Sequence, residues 1–351
     1  MPPKLTNGHP AIPSQQRGST DQIHSPEGAA TKKNLGKTKA KSKKGTEMAA
    51  KVDVVKGVRG KYHKEGTPLL KTGSVKTIGT EGQFCSPNGI TINKHGDFVT
   101  ADTANNRVQI TDRDGNMKST FTFPEFPEPF YPLDVAISAK DEYIMTDGKN
   151  KQVVVSDENG SLIKCFGEEI KKPGRIAISP VDGSVYISDW EWSVEDADQK
   201  GHCIRKYTPN FQYVKSFGDF IPKPESDSRA PHYLAVDING DVFVADFNQS
   251  CIQVYNSDGE LRHSFGSYGL KQDGKFNGPK GMAFDEEGYL YVSDEGNSSV
   301  QKFDKNGNFI CRIDKPDDKL NLPQGLAITD DMEVVVCNWN YDCLKVFTQL
   351  T

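Results

Sequence analysis

"APHYLAVDINGDVFVADFNQSCIQVYNSDGELRHSFG" runs from Ala230 to Gly266 and divides into four short apolar segments. Pro231 precedes the first segment, and Asn239-Gly240 separates it from "VFVAD", which ends at Asp246. Ile252 opens the third segment six residues after that aspartate, and Asp258-Gly259 leads into "LRHSF". Pairs such as Asn-Gly and Asp-Gly accept the positive φ of tight hairpin turns. Short apolar segments joined in this way predict an antiparallel four-stranded meander.

The unit recurs. "SPNGITI", "YPLDVAI", "KPGRIAI", "APHYLAV", "GPKGMAF" and "LPQGLAI" open six units at Pro87, Pro132, Pro173, Pro231, Pro279 and Pro323, spaced 45, 41, 58, 48 and 44 residues apart. Their second segments end at Asp102, Asp147, Asp189, Asp246, Asp294 and Asn338. Six residues further on come Val108, Val153, Ile252, Val300 and Leu344, but the third unit needs fifteen to reach Ile204, which marks a nine-residue insertion within Trp190–Cys203. Turn pairs at His95-Gly96, Asp182-Gly183, Glu287-Gly288, Asp114-Gly115, Asn159-Gly160 and Asn306-Gly307 fall where the meander needs them.

One four-stranded sheet exposes two faces and cannot bury both alone, whereas six packed radially can. The expected fold is therefore all-β, a six-bladed propeller of four-stranded antiparallel blades. The sixth unit stops at Thr351 after three strands, and "SVKTIG" (Ser74–Gly79) has the form of the fourth strands "LIKCFG", "YVKSFG" and "LRHSFG". That segment is expected as the outer strand of the last blade, closing the ring. The propeller is expected over 67–351, preceded by a disordered basic tail over 1–66.

Charge supports this division. Residues 1–66 hold 14 Lys and Arg against 5 Asp and Glu, a balance of +9, which leaves −14 for the remainder of a chain whose formal net charge is −5. The tail is too poor in apolar residues to offset its ordering entropy. Its densest part, Thr31–Gly45, carries seven lysines and admits two readings: a patch that contacts nucleic acid or acidic proteins, or a solvated linker. The sequence has no apolar run of membrane-spanning length, no apolar signal core and no CxxC pair among its seven cysteines. A cytoplasmic, monomeric propeller with structural thiols and no membrane association is expected.

Gln83–Gly115 and Ala230–Gly266 resemble NHL repeats, as found in the propeller that ends tripartite-motif (TRIM-like) proteins and their Brat-like relatives, and the resemblance extends over 73–351. It implies a non-catalytic recognition module, serving as a substrate or target adaptor in the ubiquitin pathway. The Brat-like relatives imply single-stranded RNA binding as the alternative. The ligases of this kind carry a RING, B-boxes and a coiled coil ahead of the propeller. No Cys/His cluster lies before residue 67, so no ubiquitin transfer, and no enzyme activity, is expected within this chain.

The residues themselves point away from catalysis. His95, His202, His232 and His263 occupy four different repeat positions, so radial symmetry does not gather them around one metal. The row Asp102, Asp147, Asp189, Asp246, Asp294 and Asn338 recurs in every unit, which fits a structural role better than a calcium or lactonase site. No metal or cofactor is expected. The loops before first strands and between second and third strands share one rim. They place Asn88, Tyr131, Arg175, His232, Lys280 and Gln324 there, with Arg107, Lys149, Lys151, Trp190, Trp192, Phe247, Trp339 and Tyr341. Large rigid aromatics and Arg suit a protein interface, and rings with cations also suit single-stranded RNA. The acidic body, with Glu191, Glu195, Asp196 and Asp198 in the insertion, opposes phosphate. A protein partner is therefore the first expectation and RNA the second.

Overall fold

A computed structural model describes residues 71–190, 202–220 and 231–350. The expected tail disorder and Trp192 lie outside these residues. In chain order, β1 (Lys71–Ile78) comes first. Blade one is β2 (Pro87–Ile92), β3 (Phe98–Asp102), β4 (Arg107–Thr111) and β5 (Met117–Phe121). Blade two is β6 (Pro132–Ile137), β7 (Tyr143–Asp147), β8 (Gln152–Ser156) and β9 (Leu162–Phe166). Blade three is β10 (Pro173–Ile178), β11 (Val185–Asp189), β12 (His202–Tyr207) and β13 (Tyr213–Phe220). Blade four is β14 (Leu234–Val236), β15 (Val242–Asp246), β16 (Cys251–Tyr255) and β17 (Leu261–Phe265). Blade five is β18 (Pro279–Phe284), β19 (Leu290–Asp294), β20 (Ser299–Phe303) and β21 (Phe309–Arg312). Blade six is β22 (Pro323–Ile328), β23 (Val334–Asn338) and β24 (Cys343–Leu350), and β1 pairs antiparallel with β24 as its fourth strand.

The six-bladed, four-stranded architecture and its closing strand are as the sequence predicts. The closing strand starts at Lys71 rather than Ser74, because a bulge between Thr72 and Val75 lets pairing continue to Leu350. Six apolar clusters form the core, and each lies between two neighbouring blades. A linear row of six sheets would have only five such interfaces. The sixth cluster joins Ile78, Val335, Leu344 and Val346 of blade six to Phe84, Ile90 and Phe98 of blade one. Among the described residues no helix is long and apolar enough to cross a membrane.

The repeat proline and the repeat aspartate have a common cause. In five blades they stand opposite each other in the ladder: Pro87 with Asp102, Pro132 with Asp147, Pro173 with Asp189, Pro279 with Asp294 and Pro323 with Asn338. Proline cannot donate a ladder hydrogen bond. The side chain opposite instead accepts from an amide just upstream of the proline: Cys85 N–H to Asp102 at 2.7 Å, Tyr131 to Asp147 at 3.1 Å, Lys172 to Asp189 at 2.8 Å, Asn277 to Asp294 at 2.9 Å and Asn321 to Asn338 at 2.7 Å. Each bond ties the connector entering a blade to the end of that blade's second strand. Blade four differs: Asp246 accepts from Gln249 and Gln253 within its own turn and third strand.

Candidate functional site

The first strands of all blades converge on the propeller axis. Two residues beyond the repeat proline stand Gly89, Asp134, Arg175, Tyr233, Gly281 and Gly325. Blades five, six and one meet there backbone to backbone. A Cβ on Gly325 would lie 2.6 Å from the Asn88 carbonyl oxygen, and one on Gly281 would lie 2.8 Å from Gly325 Cα. Blades two, three and four fill the remaining space with polar side chains. The Arg175 guanidinium stacks 4.2 Å from the Tyr233 ring centroid, donates to Asn88 Oδ1 at 2.8 Å and reaches the Leu133 carbonyl. Tyr233 Oη donates across the axis to the Asn88 carbonyl at 3.1 Å. Asp134 accepts from the Ile176 and Val135 amides at 3.1 and 3.0 Å. Burial pushes the Asp134 carboxyl up to about 6, opposed by the neighbouring Arg175 charge, and the Arg175 Nε–H is buried with no acceptor.

Around this brace lies an aromatic and cationic cluster. Lys280 Nζ donates to His232 Nε2 at 3.0 Å, which leaves that ring nitrogen as an acceptor, and it lies 3.6 Å from Glu295. Gln324 donates to Glu295 at 2.8 Å. The His232 ring lies 4.8 Å from Trp190 and 5.5 Å from Phe247, and Trp190 Nε1 is anchored on the Pro231 carbonyl at 2.7 Å.

These contacts change the expected rim. Asn88, Arg175, His232, Lys280 and Gln324 are buried instead of presented to a partner. At the innermost radius a first-strand side chain meets the opposite blades before it meets solvent. Arg107 is also committed: it donates to Asp102 at 2.8 Å, to the Gln83 carbonyl at 2.7 Å and to Gln109 at 2.8 Å. Arg205, which the sequence reading passed over, clamps Asp189 in the same way at 2.6 Å. Among the remaining expected residues, Tyr131, Trp190, Phe247 and Trp339 are half-buried, while Lys149 and Tyr341 are exposed. Lys149 Nζ sits 5.0 Å above the Tyr131 ring. Tyr268 and Leu270 are exposed in the connector between β17 and β18 and were not anticipated. At thirteen residues the connector Gly266–Gly278 is longer than four of the other five, and that length was the available signal.

The acidity of the body is unevenly placed. The turns joining first to second and third to fourth strands form the end opposite the rim, and they hold nineteen Asp and Glu against four Lys and Arg. The described rim loops hold eleven against eight. The expected repulsion of phosphate by the body's charge therefore belongs mainly to the far end. Among the described residues no three His, Cys, Asp or Glu side chains are placed to hold a metal ion.

Residues 84–110 and 276–303 match the NHL repeat family model. The two spans are equivalent, each starting at the buried Phe84 or Phe276 and running through three strands of its blade. The propeller thus carries NHL repeats in two of its blades. The chain is 28% identical over 134 residues to the protein brain tumor of Drosophila melanogaster, covering 36% of this chain and 13% of that protein. It is 40% identical over 65 residues to the protein lin-41 of Caenorhabditis elegans, covering 17% and 5%. The chain thus spans about an eighth or less of the length of these relatives. A solved gluconolactonase of Xanthomonas campestris superposes with a TM-score of 0.59 at 16% identity over 76% of this chain and 87% of that one, a likeness of fold alone. These matches agree with the resemblance to NHL repeats read from the sequence.

Proposed function

We propose that the NHL propeller is a non-catalytic recognition module that takes a protein partner on its rim, acting as a target adaptor in a ubiquitin-ligase setting. The observation that carries this reading is the rim itself. Trp190, Phe247 and Trp339 are half-buried and Tyr341 is 54% exposed, on a ring braced across its axis. Rigid aromatics bury large area at low entropic cost, which is what interface hot spots require. In that setting the propeller supplies the target contact, and the transfer chemistry lies elsewhere. Capture with the full chain, followed by measurement of the recovered protein's affinity for Tyr341→Ala and Trp339→Ala, tests the reading. Losses of tenfold or more support it, and unchanged affinity in both variants overturns it.

A second reading, single-stranded RNA on the same rim, is favoured by described rim loops far less acidic than the opposite end and by the Lys149–Tyr131 pair. Base stacking on rings with nearby cations is the mode such strands use. Anisotropy of a random single-stranded RNA pool at about 50 and 200 mM salt decides it. Binding that falls steeply with salt and drops in Lys149→Ala favours RNA, while salt-insensitive or absent binding removes it.

A further inference from the structure

The connector from β17 to β18 crosses the rim as a small, fixed loop closed by a parallel bridge between Tyr268 and Phe276. Gly269 N–H donates to the Phe276 carbonyl at 2.9 Å, Phe276 N–H to Ser267 at 3.0 Å and Lys275 N–H to Gln272 at 3.2 Å. Two polar side chains of the same blade then hold it from below. Asn297 donates to the Gly269 carbonyl and accepts from the Lys271 amide, both at 2.9 Å. Gln301 accepts from the Gly274 amide at 2.9 Å and donates to the Lys275 carbonyl at 2.8 Å. Phe276 is wholly buried beneath, its ring centroid 5.4 Å from that of Phe303.

Within this frame Gly269 is buried, and a Cβ there would lie 2.6 Å from Lys275 Cβ. Its two neighbours therefore point outward: Tyr268 is 63% and Leu270 58% exposed. The other described connectors do the opposite. Phe84, Phe123, Phe130, Ile170 and Ile313 are all buried, and among the described connectors only that of blade five exposes large apolar side chains. The loop is thus already ordered by hydrogen bonds and by Phe276, while Tyr268 and Leu270 stay outside the core clusters. Binding through it costs little further conformational entropy. Lys271 and Lys275 outweigh Asp273 beside them, so an opposing surface is complementary when it is acidic. The base of the loop adjoins the rim aromatics, since a Cβ on Gly278 would lie 2.5 Å from Phe247.

We propose that Tyr268 and Leu270 form the anchor by which the propeller enters an apolar pocket, edged by acidic residues, on a protein partner. The proposal rests on the protein-binding reading and names its hot spot. Tyr268 alone would also serve a nucleic-acid base, but Leu270 beside it fits an apolar protein pocket.

The test places p-benzoylphenylalanine in place of Tyr268 in the full chain, with the exposed Met117 as the control position. Photolysis is expected to yield a protein adduct from position 268 and none of the same mass from position 117. The cross-linked protein, identified and purified, is then titrated with the parent, Tyr268→Ala/Leu270→Ala and Lys271→Glu. The double variant is expected to bind at least tenfold more weakly at an unchanged melting temperature, and Lys271→Glu severalfold more weakly. An adduct protein that binds the double variant as well as the parent overturns the loop anchor while leaving rim recognition standing. An adduct with RNA or with a second copy of the chain overturns the proposal, and the RNA adduct overturns the protein reading as well.

Discussion

The two halves of the axial ring solve one geometric problem in opposite ways. Blades five, six and one bring their innermost strands together through Gly281, Gly325 and Gly89, with main chain against main chain. Blades two, three and four place Asp134, Arg175 and Tyr233 at the same repeat position and reach across to Asn88 of blade one. The bulk on one side fits the vacancy on the other. A repeat position in a ring is therefore not interchangeable between blades, because its side chain answers to the opposite blade as well as to its neighbours.

The largest effect is expected from opening the ring on which both halves depend. Deleting Ser74–Gly79 removes most of β1, exposes the β24 edge and takes Ile78 from the cluster between blades six and one. Melting is expected to fall by more than 10 °C with loss of cooperativity, since one buried Ile alone is worth about 2–5 kcal/mol. Unchanged melting and solubility would falsify the latch. Next comes Arg175→Ala, which strands Asp134 as a buried charge and is expected to cost about 3–5 kcal/mol in urea unfolding. Combining it with Asp134→Ala should recover part of that loss, and a purely additive pair would mean that the two do not interact.

On the other half, Gly325→Ala drives a methyl against the Asn88 carbonyl and is expected to cost about 1–3 kcal/mol by overpacking. A neutral result there would show that the glycine half has slack. Acidity separates the halves further, because Asp134 titrates and the glycines do not. Its native carboxyl keeps its proton up to about 6, whereas an unfolded one releases it near 3.8. The native state therefore binds more protons between these values, and the contribution of this group to stability falls as pH rises through 6. Asp134→Asn removes that titration, so its stability relative to the parent should improve from pH 5 to pH 7.5, by about 1.4 kcal/mol. A constant difference across that range would refute the assignment. The smallest effect is expected from Tyr233→Phe, which removes one cross-axis hydrogen bond at about 1 kcal/mol, read as a small drop in melting temperature.

Much of the architecture was legible because Pro, Asp and Gly-containing turns act locally and recur in register. "VFVAD" and its counterparts fixed the ends of the second strands, and "SVKTIG" betrayed the closing strand by its likeness to fourth strands. The rim was less legible. Burial at Asn88, Arg175, His232, Lys280 and Gln324 follows from the convergence of strands on the axis, which no single repeat reveals. The repeat carboxylate does accept amides of the turn that follows it at Asp147 and Asp246, but its second partner, an amide upstream of the proline in five blades, depends on the proline's missing ladder donor and is not evident from one strand. Tyr268 and Leu270 have no counterpart in other units, so comparing repeats could not flag them.

The meeting of β1 with β24 also orders events during synthesis. Thr77 and Lys345, joined at 2.8 Å, are 268 residues apart in the chain. At about 5–20 residues per second, translation leaves β1 without its partner strand for roughly 13–54 s. Five blades can be complete on the ribosome while the sixth still waits for its last strand, with the apolar Val75 and Ile78 uncovered. That interval is when nascent-chain chaperones would have a binding site on this protein, and when a premature stop near the carboxyl end would release a ring that cannot shut.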